Sequence, residues 1–286
     1  MANNMAKDNA WLDKPSFDFL TIPTAKPKPR KDRWTVMSDR SIPTKFVDDY
    51  LTYNGNLIDE VKFVDFTGIH RISARTIVEK NKVYKKYGIP TFPGGVAFEI
   101  AYLQGKVDEF YERVIELGFT GMEVSTDSMP ELLREERSAL IKKGTGMGLQ
   151  VFTEVGKKFF DDPFPAEEAV RCIQADLDAG AVKVVLENTE LMHYHQNDAE
   201  TLRRIIEPVG LENLILEIGR NGWPHLTMWL LREYGPDINV ENIEHDRIAT
   251  LEGMRRGLQR IMGYEYLSTI QNKPPLDLHD LKDQAG

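Results

Sequence analysis

The chain of 286 residues has a single cysteine, Cys172, so no disulfide can form within it. Cys172 lies in the helical pattern of residues 171–177, where it suits a small core position better than a nucleophile's position. The sequence has no apolar run long enough to cross a bilayer and no signal-peptide core at its N-terminus. These absences are compatible with a reducing compartment, and we expect a cytoplasmic protein.

Positive charge is also in deficit, since 36 Lys and Arg face 45 Asp and Glu and give a net charge of −9. Such a chain has no domain-wide positive field, which argues against a nucleic-acid partner. It does not exclude a small anionic substrate, which needs only a local basic pocket. The apolar content of 41% and charged content of 28% are typical of a globular protein. We expect a small anionic substrate, no membrane partner and a homo-oligomer.

The central region alternates short apolar runs with stretches of helical period, as buried parallel strands and their connecting helices do. No G-x-G-x-x-G follows the first run, which weakens the dinucleotide-binding version of an open, doubly wound sheet. Eight alternations instead favour an α/β fold with one (β/α)8 TIM barrel over residues 33–264. The predicted strands are 34–38, 61–66, 89–92, 121–125, 150–155, 182–187, 214–218 and 240–244.

Three helices have clear sequence signals. One covers residues 107–117 and is ended by Gly118, and another covers 166–179 and is ended by Gly180. Asp246 is predicted to N-cap the last helix, which runs to Arg260.

Polar tails flank the predicted barrel, at residues 1–32 and 265–286. The first contains the basic, proline-rich run 26–31, whose composition favours extended backbone over helix. We expect this N-terminal tail to be disordered, with docking on a neighbouring subunit as the alternative.

Charge is concentrated where the predicted strands end, most clearly in residues 151–158, where Glu154 and Lys157 follow an apolar run. Barrel enzymes place their catalytic groups at such strand ends. A ring of acids needs compensation, and a divalent cation such as Mg²⁺ is the simplest source. The alternative is that about half of the acids merely cap helices. The strand-end residues are Asp39, Asp65, Glu123, Ser125, Glu154, Lys157, Glu187, Glu217, Arg220 and Glu244.

Five of the six histidines follow predicted strands, which points to proton relays or to a His-bound transition metal as the less favoured alternative to Mg²⁺. The pair His193 and His195 does not complete a metal site by itself. After the seventh strand, residues 219–222 offer flexible backbone and the guanidinium of Arg220, a combination that suits a phosphate or carboxylate.

In these strand-end motifs the sequence resembles the phosphosulfolactate synthases (ComA-like proteins) over residues 34–262. The runs that contain Gly94, Gly95 and Glu99, and then Glu154 and Lys157, are the most specific. The full set of matching runs is 61–63, 87–89, 93–99, 117–119, 122–125, 153–158, 176–181 and 251–258.

The resemblance implies a (β/α)8 barrel and a Mg²⁺-dependent lyase that adds sulfite to phosphoenolpyruvate, on the way to coenzyme M or sulfolactate. Conjugate addition gives an enolate-like intermediate that is then protonated, and Lys157 is the proton donor that the motif implies, with Glu154 beside it. The metal ligands expected at the strand ends are Glu123, Glu187 and Glu217. The expected substrate contacts are Lys62, His70, Arg71, Ser125, His193 and Arg220.

Two turns depart from the family pattern. After strand 2 the family has a Gly/Thr/Ser-rich turn, whereas this chain has residues 64–70 with Asp65 and His70. After strand 6 the family has Gly-Arg-Glu, whereas this chain has Asn188, Thr189 and Glu190. Phosphate contacts are therefore expected to come from Arg220, Arg71 or Lys62. The alternatives are a changed, non-phosphorylated carboxylate substrate and a non-enzymatic, stress-associated barrel protein.

Overall fold

The computed structural model describes residues 12–158 and 163–274, and it confirms the predicted (β/α)8 barrel. Eight strands in parallel pairings form one sheet, in the order β3-β2-β1-β8-β7-β6-β5-β4. The strands are β1 (Thr35–Asp39), β2 (Glu60–Phe63), β3 (Thr91–Pro93), β4 (Gly121–Val124), β5 (Gln150–Val155), β6 (Lys183–Leu186), β7 (Leu214–Glu217) and β8 (Val240–Glu244).

The two ends of this sheet order meet and close the barrel. The backbone N–H of Thr120, just before β4, donates to the carbonyl of Thr91 at the start of β3 over 3.0 Å. The Thr120 hydroxyl accepts from the Thr91 N–H over 3.0 Å. Because all strands run in the same direction, their carboxyl ends converge at one mouth.

Helices connect the strands and cover the outside of the barrel. They are α1 (Thr44–Asn54), α2 (Ala74–Lys86), α3 (Gly95–Leu103), α4 (Val107–Glu116), α5 (Arg134–Gly146), α6 (Ala166–Ala179), α7 (Asn188–Asn197), α8 (Ala199–Val209), α9 (Gly219–Gly222), α10 (His225–Tyr234), α11 (Ile248–Arg255) and α12 (Glu265–Ile270). Gly180 ends α6 in the left-handed conformation with φ of 109°, as its position in the sequence predicts. None of the helices in the described ranges is both long and apolar enough to cross a membrane.

Most strand boundaries lie within two residues of the predicted ones, and two boundaries differ by more. Strand 2 ends at Phe63 rather than Phe66, because Asp65 has φ of 44° and a five-residue π-helix, Phe66–His70, follows. The prediction that Asp246 caps a helix reaching Arg260 is wrong. Asp246 lies inside a 3₁₀ turn, His245–Arg247, and α11 ends at Arg255, just before Gly257 with φ of 67°.

The barrel interior has an apolar layer below a polar one. The apolar layer is a separate core cluster of Val36, Phe92, Phe152, Val185 and Ile215, one residue from each of five strands. Side chains alternate along a strand, so the residue two positions further on points inward one layer higher. In four of the five cases that residue is polar, namely Ser38, Glu154, Glu187 directly after β6, and Glu217. The functional site is built on this polar layer.

The N-terminal end of the barrel is closed by the chain segment that precedes β1. Arg30 forms an ion pair with Asp59 over 2.8 Å, and both side chains are at most 6% exposed. Lys28 donates to the carbonyls of Gly55 and Ile58. The expectation of disorder therefore does not hold for residues 26–32, which contact the barrel of their own chain. The predicted boundaries at residues 32 and 264 stay a prediction.

This segment is also joined to the last part of the barrel. Lys26 pairs with Asp237 over 2.6 Å, and Arg33 pairs with Glu252 over 3.0 Å. Arg255 donates to the backbone carbonyls of Arg33, Trp34 and Ile238. Residues 26–34 are thus held in place by contacts with residues 237–255.

We predict that Arg30→Ala lowers the free energy of unfolding by about 3–5 kcal/mol, because it leaves the Asp59 carboxylate buried without its partner. The measurement is the urea midpoint of the variant beside that of Lys31→Ala, whose side chain is exposed. Equal midpoints for the two variants would show that the buried pair contributes nothing.

Candidate functional site

A cavity of about 330 Å³ opens at the mouth formed by the carboxyl ends of the strands. Its floor is the polar layer of the barrel interior, and its wall carries both acidic and basic side chains. The acids include Glu123, Glu154, Glu187 and Glu217, each at most 5% exposed. Such a concentration of buried carboxylates is costly unless cations or protons compensate for it.

Three of these glutamates converge. Carboxylate oxygens of Glu154, Glu187 and Glu217 lie within 4.8 Å of one another. The strands place them, since Glu154 is in β5, Glu217 ends β7, and Glu187 follows β6 as the N-cap of α7. We call this group the carboxylate cluster.

Neighbouring groups hold the carboxylate cluster in place. The backbone N–H of Asn188 donates to Glu217 Oε2 over 3.1 Å, and the Asn242 side chain donates to Glu217 Oε1. The Thr189 N–H donates to Glu187. One carboxylate oxygen of Glu154, Oε1, is buried without a hydrogen-bond partner among the described residues.

The electrostatics of the carboxylate cluster show an excess of negative charge. Burial, followed by the charges of Glu123 and Glu217, raises the pKa of Glu154 well above its ordinary value. Burial and the charge of Glu217 raise the pKa of Glu187 to about 7. A cation among the three groups would favour their ionised forms.

The donor set fits a hard divalent cation. Carboxylate oxygens are the ligands that Mg²⁺ and Ca²⁺ prefer, and one oxygen of Glu154 is buried without a hydrogen-bond partner among the described residues. No histidine belongs to the carboxylate cluster. A His-bound transition metal therefore finds no set of three ligands within the described parts of the chain.

Lys62 lies deep in the cavity between two further glutamates. Its Nζ is 2.8 Å from Glu123 Oε2 and 2.8 Å from Glu241 Oε1, and both carboxylates are fully buried. Burial alone would lower the pKa of Lys62, but the facing charges of Glu123 and Glu241 outweigh it and raise the pKa. The structure therefore gives Glu123 an ion pair with Lys62, whereas it was predicted to be a metal ligand.

Of the two lysines after β5, Lys158 faces the cavity and Lys157 does not. Lys158 pairs with Asp127 and lies 3.9 Å from Glu187. Lys157 extends to the β4–α5 loop, where its Nζ lies 3.0 Å from the Met129 carbonyl and 2.8 Å from Glu131.

Lys158 is held in its charged form. Burial alone would lower its pKa, but the carboxylates of Glu154, Glu217 and Asp127 outweigh burial and raise the pKa. The cavity therefore contains an ammonium group beside the carboxylate cluster.

Two arginines stand at the rim of the cavity and share one acid. The Nε of Arg40 lies 2.9 Å from Glu244 Oε1, and the Nε of Arg220 lies 2.8 Å from the same oxygen. Burial opposes ionisation of Glu244, but the guanidiniums of Arg220 and Arg40 hold its pKa below the ordinary value. Each contact uses Nε, so the terminal NH2 groups of both guanidiniums are available to bind an anion.

The predicted substrate residues are only partly brought together. Lys62 and Arg220 line the cavity. His70, the last residue of the π-helix, and Arg71, which follows it, are exposed and lie outside the lining. His193 lies in α7, next to Asn197. None of the five histidines in the described ranges lines the cavity.

Ser125 is fully buried behind the cavity wall. Its hydroxyl lies 3.0 Å from Glu154 Oε2 and 2.9 Å from Glu99 Oε1. It contacts the carboxylate cluster through Glu154, so the structure places it behind this carboxylate rather than in the cavity lining.

The two glycines of residues 94 and 95 bring α3 close to the site. A Cβ on Gly95 would lie 2.3 Å from the Ser125 Cβ, and one on Gly94 would lie 3.2 Å from the Lys62 side chain. At residue 95 only glycine permits this approach, whereas a Cβ at residue 94 would require the Lys62 side chain to shift. Glu99 lies one helical turn after Gly95, on the same face, and so reaches Ser125.

The sequence interpretation did not name Arg40, Asp127, Lys158 or Glu241 as site residues. One signal was available for Lys158, because the alternation of β5, continued past Val155 from the inward-pointing Phe152 and Glu154, predicts the same face for residue 158. Arg40 directly follows β1, where a basic residue at a strand end is a weaker signal.

The sequence profile of the (2R)-phospho-3-sulfolactate synthase (ComA) family matches residues 23–260. The phosphosulfolactate synthase of Methanocaldococcus jannaschii is 34% identical over 238 residues, which cover 79% of this chain and 91% of the relative. That of Methanothermobacter thermautotrophicus is 32% identical over 257 residues, or 85% of this chain and 96% of the relative. That of Bacillus subtilis is 29% identical over 253 residues.

More distant solved structures share the fold. The YdjI aldolase of Escherichia coli K12 superposes with a TM-score of 0.51 at 14% identity, covering 83% of this chain and 91% of that one. The DHDPS of Cyanidioschyzon merolae, solved with lysine bound, gives a TM-score of 0.50 at 13% identity, covering 85% and 76%. At these identities the likeness concerns the barrel alone.

Proposed function

We propose that this chain, which belongs to the phosphosulfolactate synthase family, adds sulfite to phosphoenolpyruvate to form phosphosulfolactate. The observation that carries the proposal is the composition of the cavity. A carboxylate cluster suited to a divalent cation, a charged lysine and two rim arginines surround one space of about 330 Å³. An anionic substrate of a few heavy atoms fits such a space.

The reaction forms one bond and moves one proton. The sulfur lone pair of sulfite attacks C3 of phosphoenolpyruvate, and the electron pair of the C2–C3 double bond moves toward C2 and the carboxylate. The resulting enolate-like intermediate then takes a proton at C2. No group leaves, and the phosphate stays on C2.

The carboxylate cluster would hold a divalent cation, with Mg²⁺ as the proposed ion, through Glu154, Glu187 and Glu217. When bound, it supplies positive charge that stabilises the negative charge developing on the substrate carboxylate. The Glu217 carboxylate is already held in position, because Asn188 and Asn242 donate hydrogen bonds to its two oxygens.

Lys158 is the proposed proton donor to C2. Its ammonium lies in the cavity beside the carboxylate cluster, within reach of a substrate bound there. Lys157, the donor predicted from the family motif, has its ammonium on the β4–α5 loop. The proposed proton donor is therefore Lys158, the residue next to the lysine that the motif implied.

The rim arginines are the proposed anchors of the phosphate. They offer paired N–H groups of the kind that bind phosphate oxygens in two places. Arg220 was expected from the sequence to replace the missing family contacts, and Arg40 adds a second guanidinium beside it. Lys62 contributes positive charge from the floor of the cavity, between Glu123 and Glu241.

The oligomeric state and the location of the protein stay predictions. We expect a homo-oligomer in the cytoplasm.

The proposal is tested by incubating the purified protein with sulfite, phosphoenolpyruvate and Mg²⁺. We expect phosphosulfolactate to accumulate, measured by phosphorus NMR and mass spectrometry. Consumption of neither substrate at saturating concentrations would refute the proposal and favour a changed, non-phosphorylated substrate. The acidic Asp65 in the cavity lining is the observation that makes this alternative specific.

A further prediction concerns the rim. Arg220→Ala should lower kcat/KM for phosphoenolpyruvate by about 10- to 100-fold, because one charge-assisted contact is worth about 1.5–3 kcal/mol. Arg40→Ala should have an effect of similar size. The matched control is Arg71→Ala, since Arg71 is exposed and lies outside the cavity lining. A loss in Arg71→Ala equal to that in Arg220→Ala would place the phosphate elsewhere.

A further inference from the structure

Two buried carboxyl groups next to the cavity have no part in the reaction described above. Glu99 in α3 is 3% exposed, and Asp127 in the β4–α5 loop is 5% exposed. The two carboxyl groups are close enough to shift each other's pKa, and both residues contact Ser125 and Ser128. Neither belongs to the carboxylate cluster.

Each carboxyl group has a different second contact. Asp127 accepts from the Lys158 ammonium and, over 2.9 Å, from the Ser128 hydroxyl. Glu99 Oε1 lies 2.9 Å from the Ser125 hydroxyl and 3.4 Å from the Ser128 N–H. The contacts form a continuous line from Glu99 through Asp127 to Lys158.

Two carboxyl groups in contact cannot both be charged without strong repulsion, so one of them carries a proton. The ammonium of Lys158 favours the charged form of Asp127, which leaves the proton on Glu99. The pKa values agree with this assignment. Burial and the hydrogen bond to Asp127 raise the pKa of Glu99 to about 7. Burial opposes ionisation of Asp127, but Glu99 and Lys158 bring its pKa down to about 2.

We propose that Glu99 and Asp127 are positioning residues for Lys158: Glu99 donates a hydrogen bond to Asp127, and Asp127 holds the Lys158 ammonium toward the cavity. The role of Glu99 explains the glycines that precede it. Gly95 lets α3 approach β4 closely enough for a side chain one turn later to reach the β4–α5 loop. This inference rests on the proposed function, because it assigns Lys158 the proton transfer.

The kinetic experiment compares Glu99→Ala, Glu99→Gln and Asp127→Asn. We expect Glu99→Ala and Asp127→Asn to lower kcat about tenfold and to leave KM for phosphoenolpyruvate within about twofold, since the ammonium is misplaced while the anion contacts stay. Glu99→Gln keeps an N–H donor for Asp127 and should retain kcat within about threefold. The melting temperature of each variant reports whether it is folded.

A double variant separates positioning from other effects. In a Lys158→Ala background, Glu99→Ala should cause no further loss of kcat, because residues that act through one another are not additive. An equal tenfold loss in both backgrounds would overturn the proposal. A selective loss of metal affinity in Glu99→Ala, measured by calorimetry, would also overturn the proposal. It would show that Glu99 acts on Glu154 through the Ser125 hydroxyl instead of on Lys158.

A third measurement needs no substrate. The rate at which an amine reagent labels Lys158, relative to Lys157 in the same protein, is read by mass spectrometry. Releasing Asp127 by Glu99→Ala should raise the Lys158 to Lys157 ratio severalfold, and Glu99→Gln should restore it. An unchanged ratio would overturn the positioning even if sulfite addition is confirmed. A changed ratio in a protein that does not turn over sulfite would refute the proposed function and leave the positioning intact.

Discussion

Lys158→Ala should lower kcat by about 100- to 10,000-fold, the range expected when a general acid is removed. The substitution removes the ammonium that faces the cavity. The carboxylates around Lys158 keep this amine protonated, so that it carries the proton that C2 needs. KM for phosphoenolpyruvate should change much less, because the rim arginines remain. Steady-state kinetics with sulfite saturating give both numbers.

The adjacent lysine is the matched control for this prediction. Lys157→Ala removes an ammonium of the same kind from the same loop, but one that contacts Glu131 and the Met129 carbonyl. We expect its kcat to stay within about threefold of that of the wild type. The sequence motif alone predicts the opposite order of the two effects. A larger loss in Lys157→Ala than in Lys158→Ala would return the proton transfer to Lys157.

Removing divalent metal should lower turnover by about a thousandfold, because the charge that develops in the transition state loses its electrostatic stabilisation, and added Mg²⁺ should restore it. The expectation follows from three buried carboxylates within 4.8 Å, a charge density that the cavity lysines do not balance. Chelator-treated protein is assayed and then titrated with metal. Full activity after chelation, with no metal left by elemental analysis, would contradict this prediction.

Direct binding distinguishes the carboxylate cluster from other acids. Glu217→Gln keeps the shape of a side chain that Asn188 and Asn242 hold, and it removes the charge. We expect it to weaken Mg²⁺ binding by about 10- to 100-fold in calorimetry. Glu244→Gln, at the rim, is the matched control and should bind Mg²⁺ normally. Equal weakening in the two variants would mean that general negative charge attracts the ion.

The fold could be predicted because buried parallel strands leave a strong pattern in the sequence. The strands Gln150–Val155 and Val240–Glu244 have the predicted ends, and the helix Ala166–Ala179 ends at the predicted glycine. The end of β2 was missed because Val64 and Phe66 continue the apolar run, while the backbone turns at Asp65. A change in φ at one residue leaves no trace in an apolar pattern.

The site was predicted less completely than the fold. The acids at strand ends were recognised, and Glu154, Glu187 and Glu217 do converge. The partners of Lys62 could not be foreseen, because Glu123 and Glu241 reach it from strands far away in sequence. The choice between Lys157 and Lys158 required the direction of each side chain. Sequence patterns indicate which residues reach a strand end, whereas charge pairing across the barrel depends on the closed geometry.

The contacts of the segment before β1 have a consequence for the order of folding. Arg33 binds Glu252, which lies 219 positions later, and Lys26 binds Asp237, which lies 211 positions later. Trp34 likewise accepts at its backbone carbonyl from Arg255, far along the chain. Contacts of such high sequence separation are slow to form, because a long loop has to close first. We therefore expect the segment before β1 to reach its final position late in folding, after the strands that it contacts have paired.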